Sequence, residues 1–212
     1  MMERFDVGRS YRYGPKGAQL DSPDVLVRDQ GKLVIIAECK ATKLTYLAQF
    51  AENPFEAAEK QYTQLAKGIF QLWRYLSHVR RNIVEENLAA NCHAIVFTLD
   101  PFMQISPDPQ NKVLAEANAL ADEEGDIAPE DRKAVVICPI YDLESILSRA
   151  NEDSLLASLK ASNEKKYEGW ILINVHHDTG AAKEFGKPKL YPFDIANVLP
   201  WWNRFGEETN EE

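Results

Sequence analysis

The feature that most constrains the fold is a long apolar repeat between residues 53 and 83. Its apolar residues alternate spacings of three and four, as one buried face of an α-helix requires. The members of this repeat are Phe55, Ala58, Tyr62, Leu65, Ile69, Leu72, Leu76, Val79 and Ile83. Asn53, Pro54 and Glu56 form an N-terminal capping pattern, and cations at Arg80 and Arg81 suit a C-terminal end. We therefore predict a single helix of about 28 residues.

A helix with one apolar face packs either on a sheet or on a second helix. A second apolar arc, formed by Ala66, Phe70 and Trp73, widens the face beyond the narrow seam of a two-stranded coiled coil. Apolar strand-like segments also lie on both sides of the helix in the sequence. These two observations favour a helix buried within a domain, and a coiled-coil homodimer is the alternative.

Strand-like and helical segments alternate around this helix. Val25–Val27 and Leu33–Ala37 form a predicted β-hairpin, and later strands are predicted at 94–99, 134–140 and 170–175, with helices at 112–124, 143–150 and 153–160. This order is typical of an α/β fold. We predict one domain over residues 1–212, with a core of about 10–140 and a C-terminal α/β elaboration of about 141–212. Within that elaboration, residues 180–189 are predicted to be a loop and residues 207–212 an acidic tail.

Composition excludes several classes of protein. The chain is 45% hydrophobic and 27% charged, and no stretch approaches the ~18 consecutive apolar residues of a membrane span. The N-terminus lacks the apolar stretch of a signal peptide, so we expect a cytoplasmic protein without a membrane partner. Cys39, Cys92 and Cys138 are odd in number, have no CxxC spacing and lie in apolar or strand-like segments. We expect reduced, buried thiols, with neither a disulfide framework nor a zinc site.

The predicted hairpin carries three charged residues near one end. Glu38 and Lys40 follow the second apolar strand and share one of its faces, because side chains alternate along a strand. With a three-residue loop at 29–31, Arg28 would pair with Lys32 and Asp24 would lie opposite Ile36. Asp24 would then be diagonal to Glu38 on the same face, at a Cα separation of roughly 7–8 Å.

Two carboxylates at one end of an apolar hairpin are costly unless a cation compensates them. Mg²⁺ is the natural candidate, since it takes one or two carboxylates and leaves its other positions to water and phosphate oxygens. The alternative interpretation is a surface salt bridge between Lys40 and either acid. The first interpretation predicts that all three side chains lie close enough to share one cation.

Pro23-Asp24 followed by Glu38-Cys39-Lys40 resembles the signature of the PD-(D/E)xK nuclease superfamily. Further along, Gln71-Leu72-Trp73-Arg74-Tyr75 is similar to the QxxxY element of the RecB-like branch of that superfamily. The resemblance covers roughly residues 10 to 100. It implies a restriction-endonuclease-like fold, in which a mixed central β-sheet is flanked by α-helices.

The resemblance also implies a role for each matching residue. Asp24 and Glu38 would hold Mg²⁺, for which Mn²⁺ can substitute, together with the backbone carbonyl of Cys39. Lys40 would orient the attacking water or stabilise charge developing on phosphorus. Gln71 would contact the phosphate or a metal-bound water, with Tyr75 bracing it. A polar flank of the helix explains Gln71 and Tyr75 equally well.

Many members of the superfamily carry a further acid on a helix before the hairpin. Only Glu3 precedes the hairpin at a comparable place in this sequence. Either Glu3 supplies this additional metal ligand, or the corresponding helix belongs to a preceding N-terminal segment or to a partner protein.

The net charge of −9 argues against nucleic acid, but the charge is unevenly distributed. Residues 1–82 hold 13 Lys and Arg against 9 Asp and Glu, whereas residues 83–212 hold 11 against 24. Two sets of cations in the first part are candidates for contacts with DNA. One lies on the long helix and the other near the N-terminus, and together they comprise Lys60, Lys67, Arg74, Arg9, Arg12 and Lys16. A solvated helix face is the commoner explanation for the first set.

The function predicted from these features is a Mg²⁺-dependent nuclease that hydrolyses phosphodiester bonds in DNA. The alternative is a nuclease-like module without catalysis, which binds DNA or takes part in an assembly. In that alternative the acidic second half of the chain would serve a protein partner.

Overall fold

The computed structural model describes residues 4–99 and 107–180, and its elements alternate between strands and helices. The strands are β1 (Phe5–Arg9), β2 (Arg12–Tyr13), β3 (Leu20–Asp21), β4 (Val25–Asp29), β5 (Lys32–Lys40), β6 (Leu88–Thr98) and β7 (Val135–Pro139). The helices are α1 (Tyr46–Gln49), α2 (Pro54–Ala57), α3 (Glu59–Arg80), α4 (Pro107–Glu124), α5 (Ile140–Leu147), α6 (Glu152–Ala161) and α7 (Leu172–Asp178). Short 3₁₀ turns lie at Pro129–Asp131 and Lys165–Tyr167.

Five strands form a mixed central sheet in the order β1-β4-β5-β6-β7. The pairs β1/β4 and β4/β5 are antiparallel, whereas β5/β6 and β6/β7 are parallel. β2 and β3 pair separately as a two-stranded ribbon. The prediction of an α/β protein with a mixed sheet and flanking helices is confirmed. The parallel half brings the carboxyl ends of β5, β6 and β7 to one edge of the sheet.

Hydrophobic cores lie on both faces of the sheet. On one face, the apolar stripe of α3 and the inner side of α4 cover β5 and β6, with Leu72 and Val113 among the residues that are fully buried. On the other face, α5, α6 and α7 cover the same strands, with Ile146 and Leu159 fully buried. Both faces of the parallel strands are therefore buried, as expected for strands that consist of continuous apolar runs.

The β4–β5 hairpin was predicted correctly, but its register differs from the prediction. The loop has two residues, Gln30 and Gly31, both with positive φ, and Asp29 pairs with Lys32. A bulge between Val27 and Arg28 then shifts the register once more. The shorter loop and the bulge each move the pairing by one residue. Their combined shift of two keeps the same side chains on the same face.

The long predicted helix is interrupted near its start. Ala58 adopts φ −115° and ψ 20°, so the segment forms the short α2 and then the 22-residue α3. The predicted cap is present, because the backbone N–H of Glu56 donates to Oδ1 of Asn53 at 3.3 Å. The predicted end at Arg80 and Arg81 is confirmed.

The strand predicted at 170–175 is wrong, because residues 172–175 belong to α7. Leu172, Val175 and His176 are its buried residues, and their spacing is helical. A short apolar run does not distinguish a strand from one turn of a buried helix. The remainder of the predicted loop, 181–189, and the acidic tail 207–212 lie outside the described residues.

The cysteine prediction holds for two of three residues. Cys92 and Cys138 are buried free thiols, and burial raises the pKa of each to about 12. Cys39 is exposed, contrary to the prediction, and is the next-to-last residue of β5. Among the described helices, none combines the length and apolar character needed to cross a bilayer.

Candidate functional site

Lys40 is the centre of the candidate site. It is the last residue of β5 and points, like Glu38, towards α3. Its ammonium Nζ donates to Oε1 of Glu38 at 2.8 Å and to Oε1 of Gln71 at 2.6 Å. The Lys40 side chain is 15% exposed and the Glu38 side chain 9%. The structure therefore brings together a lysine, a carboxylate and an amide that are separated by up to 33 positions in the sequence.

Glu38 is a buried acid in this cluster. Burial raises the pKa of its carboxyl group, because the charged form loses solvation, and the nearby charge of Asp24 acts in the same direction. The hydrogen bond and positive charge of Lys40 oppose that rise only in part. Additional positive charge near Glu38 would therefore stabilise its ionised form.

Asp24 lies in a bend immediately before β4. Its Oδ2 accepts a hydrogen bond from the backbone N–H of Cys39 at 2.7 Å. Because Val25 pairs with Ala37, continuing the register by one residue sets Asp24 beside Glu38 rather than opposite Ile36. The predicted diagonal arrangement is thus replaced by a direct one, and the two acids remain neighbours.

The donors fit a hard divalent cation in chemical type. Asp24 and Glu38 supply carboxylate oxygens, and the raised pKa of the buried Glu38 carboxyl marks a place where a cation would be favourable. Within residues 4–99 and 107–180, no three His, Cys, Asp or Glu side chains gather as a metal-binding group. Two carboxylates are the protein share that Mg²⁺ commonly takes. The predicted role of the Cys39 carbonyl stays a prediction, and Glu3 lies outside the described residues.

Gln71 and Tyr75 contact different residues. Gln71 contacts Lys40, whereas the hydroxyl of Tyr75 lies 2.9 Å from the hydroxyl of Tyr11. Tyr75 is 1% exposed, and burial strongly raises the pKa of its phenol. The described contacts of the Tyr75 hydroxyl therefore belong to a second polar cluster, and its predicted bracing of Gln71 stays a prediction.

Sequence reasoning missed this second cluster. Glu86, which precedes β6, forms an ion pair with Arg28 on β4 and lies near the hydroxyls of Tyr11 and Tyr75. Arg28 and Glu86 are 58 residues apart, and no local pattern joins them. The sequence shows only an apolar run immediately before Arg28, and the structure shows that this arginine is half-buried in β4 and requires a partner.

The predicted DNA-contacting cations are dispersed over the surface. Lys60 and Lys67 are exposed on α3, while Arg74 is half-buried with its guanidinium 5.2 Å from the centroid of the Phe70 ring. The second set is exposed on and around the β2–β3 ribbon, where Arg12 pairs with Asp21 at 3.3 Å and Arg9 and Lys16 lie nearby in sequence.

Comparison with protein-family models, with curated proteins and with solved structures finds no match to this chain. The functional interpretation therefore depends on the residues and their geometry.

Proposed function

We propose that this protein is a Mg²⁺-dependent nuclease that hydrolyses phosphodiester bonds in DNA. The observation that carries the proposal is the contact of the Lys40 ammonium with both Glu38 and Gln71. A surface salt bridge between Lys40 and Glu38 would require neither the burial of both groups nor a third polar partner from a helix. Burying these groups costs solvation, which a functional site tolerates more readily than a purely structural one.

Each residue has a physical task in the proposed site. Asp24 and Glu38 would hold the metal ion, which when bound would polarise the scissile phosphate and acidify a water molecule. Hydrolysis joins the water oxygen to phosphorus, breaks one phosphorus–oxygen ester bond and leaves a proton on the departing oxygen. Lys40 would orient the water or stabilise the charge that develops on the phosphoryl oxygens. Gln71 would keep the Lys40 ammonium at the carboxylate edge.

We further propose that the domain has the restriction-endonuclease-like arrangement. Support comes from the order of its parts: an antiparallel hairpin bearing the acids, the long helix α3 packed on the sheet, and then the parallel strand β6. The choice of DNA as substrate is supported by the excess of cations in residues 1–82 and by their exposure on α3 and around the β2–β3 ribbon.

A non-catalytic nuclease-like module is the second candidate. The observation that favours it is that two side chains of the protein itself, those of Glu38 and Gln71, contact the Lys40 ammonium. Such a closed set of contacts can stabilise a fold without catalysis. In this case the protein would bind DNA or a partner but would have no Mg²⁺ dependence.

Cleavage of DNA by the purified chain tests the proposal. Plasmid or oligonucleotide DNA is incubated with Mg²⁺, Mn²⁺ or EDTA, using the wild type, Asp24→Asn and Lys40→Met. We expect cleavage with either metal, none with EDTA, and a loss of at least about 100-fold in each variant. Lys32→Met is the matched control, since Lys32 is an exposed lysine at the other end of β5. Equal cleavage by all four proteins, or cleavage in EDTA, would reject the site assignment.

A further inference from the structure

Gly68 lies in the middle of α3, where glycine is unfavourable. Glycine costs a helix interior roughly 1 kcal/mol relative to alanine, so its presence calls for a local reason. A Cβ atom built on Gly68 would lie 2.9 Å from Cε of Lys40, 3.3 Å from Cγ of Lys40 and 3.6 Å from Cγ of Glu38. The first distance is shorter than real Cβ contacts, whereas the third is ordinary. The absence of a side chain at this position therefore makes room chiefly for Lys40.

The path of the Lys40 side chain shows what this room is used for. Its aliphatic stem crosses α3 at Gly68, and its ammonium then reaches Gln71, one helical turn further along. The same ammonium contacts Glu38 on β5. Gly68 thus leaves space for the stem of the lysine, and Gln71 accepts a hydrogen bond from its ammonium.

We infer that Gly68 is a positioning residue that holds the Lys40 ammonium between Glu38 and Gln71. The role of Lys40 in cleavage rests on the proposed function, but the packing of its stem does not. The atom that a methyl group at Gly68 would meet first belongs to a flexible side chain and not to backbone. An alanine therefore displaces the lysine while the helix and the sheet stay in place.

The reactivity of the Lys40 amine tests this inference without reference to cleavage. The wild type, Gly68→Ala and the control Thr63→Ala are treated with limiting acetic anhydride, and modification at Lys40 is quantified by mass spectrometry. Thr63 lies on the same helix, away from the positions of Gly68 and Gln71. We expect modification of Lys40 to be several-fold faster in Gly68→Ala and unchanged in Thr63→Ala. The same rate in Gly68→Ala as in the wild type would overturn the inference.

Thermal unfolding of a double variant guards against a trivial loss of folding. In the Lys40→Ala background the obstacle is gone, so Gly68→Ala should raise the midpoint by about 2–4 °C through helix propensity. In the wild-type background the same substitution should raise it by less. An equal rise in both backgrounds, or destabilisation that persists without the lysine, would contradict the inference.

Cleavage provides a third, separate measurement. If the wild type cleaves DNA, Gly68→Ala should reduce the rate by at least about 10-fold, since catalytic groups misplaced by an ångström lose up to about two orders of magnitude. A wild type that does not cleave would reject the proposed function. Amine modification and the double variant would still decide the role of Gly68.

Discussion

Oδ2 of Asp24 accepts a hydrogen bond of 2.7 Å from the backbone N–H of Cys39. This bond connects Asp24, just before β4, to the backbone of β5. Its donor, Cys39, lies between Glu38 and Lys40, the two residues proposed to act with Asp24. The bond lies just beyond the last pair of β4 and β5, which joins Val25 to Ala37. The separation of Asp24 from Glu38 is therefore set by backbone geometry and not by a flexible side chain alone.

Substitution of Asp24 separates this structural role from metal binding. Asp24→Asn keeps an oxygen that accepts the Cys39 N–H but removes the charge, so Mg²⁺ affinity should fall by more than about 10-fold with little change in stability. Asp24→Ala should lose the same affinity and also about 1 kcal/mol in the free energy of unfolding. Calorimetric titration with Mg²⁺ and urea unfolding measure the two quantities. Unaltered Mg²⁺ affinity in Asp24→Asn would show that this acid is not a metal ligand.

The hairpin loop offers a prediction about stability alone. Gln30 and Gly31 both have positive φ, a conformation that Asn-Gly adopts more readily than Gln-Gly. Gln30→Asn should therefore raise the free energy of unfolding by a few tenths to about 1 kcal/mol, and Gly31→Ala should lower it by about 1 kcal/mol. Urea unfolding of both variants gives the values. A lower free energy of unfolding in Gln30→Asn, or a higher one in Gly31→Ala, would refute the assigned loop conformation.

The contact between the Tyr11 and Tyr75 hydroxyls predicts coupling between two distant positions. Tyr75→Phe should cost about 1 kcal/mol of stability, because the hydrogen bond between the buried Tyr75 hydroxyl and the Tyr11 hydroxyl is lost. Tyr11→Phe should cost a similar amount, and the double variant should cost less than the sum. Strict additivity in urea unfolding would indicate that the two hydroxyls do not interact in solution.

Three buried histidines make stability sensitive to mild acid. Burial is the main cause that lowers the pKa of His78, His93 and His176 below the ordinary value of 6.5. Below that pH the unfolded chain binds protons that the folded chain still excludes, so stability decreases as pH falls. Each such proton changes the free energy of unfolding by about 1.4 kcal/mol per pH unit.

Urea unfolding between about pH 5 and pH 7.5 measures this slope, since the ordinary histidine value lies inside that interval. His177→Gln replaces an exposed histidine whose charge contributes to the shift at His176, so this variant should retain the part of the slope that comes from His78 and His93. A free energy of unfolding that does not change across the interval would contradict the prediction. Imidazole proton shifts measured by NMR would identify which histidine is responsible.

Much of the site could be predicted because it depends on which face of a strand each side chain occupies, and side chains alternate between the two faces. The predicted pairing of Asp24 with Ile36 was wrong by two residues, yet both errors preserved the face on which Glu38 and Lys40 lie. Loop length and bulges are set by competing backbone conformations of similar energy, and residues 29–34 contain no decisive turn signal such as Asn-Gly. The face of a strand is therefore more predictable than its register.

Contacts between residues far apart in the sequence were harder to predict from the sequence. Gly68 and Gln71 are three positions apart in the helix, but only the packing of α3 on β5 shows that Lys40 lies against both of them. The ion pair of Arg28 with Glu86 likewise depends on the tertiary approach of β4 to the segment before β6. The apolar run at 170–175 was misassigned because neighbouring helices determine its conformation.

The bond from Cys39 to Asp24 gives the site an intrinsic reporter. An amide proton held by a side-chain carboxylate exchanges with deuterated solvent when that carboxylate moves away, even if the neighbouring strands remain paired. The exchange rate at Cys39 therefore follows the position of Asp24 directly. Hydrogen–deuterium exchange at the Cys39 amide would show whether a bound cation moves the Asp24 carboxylate away from that amide.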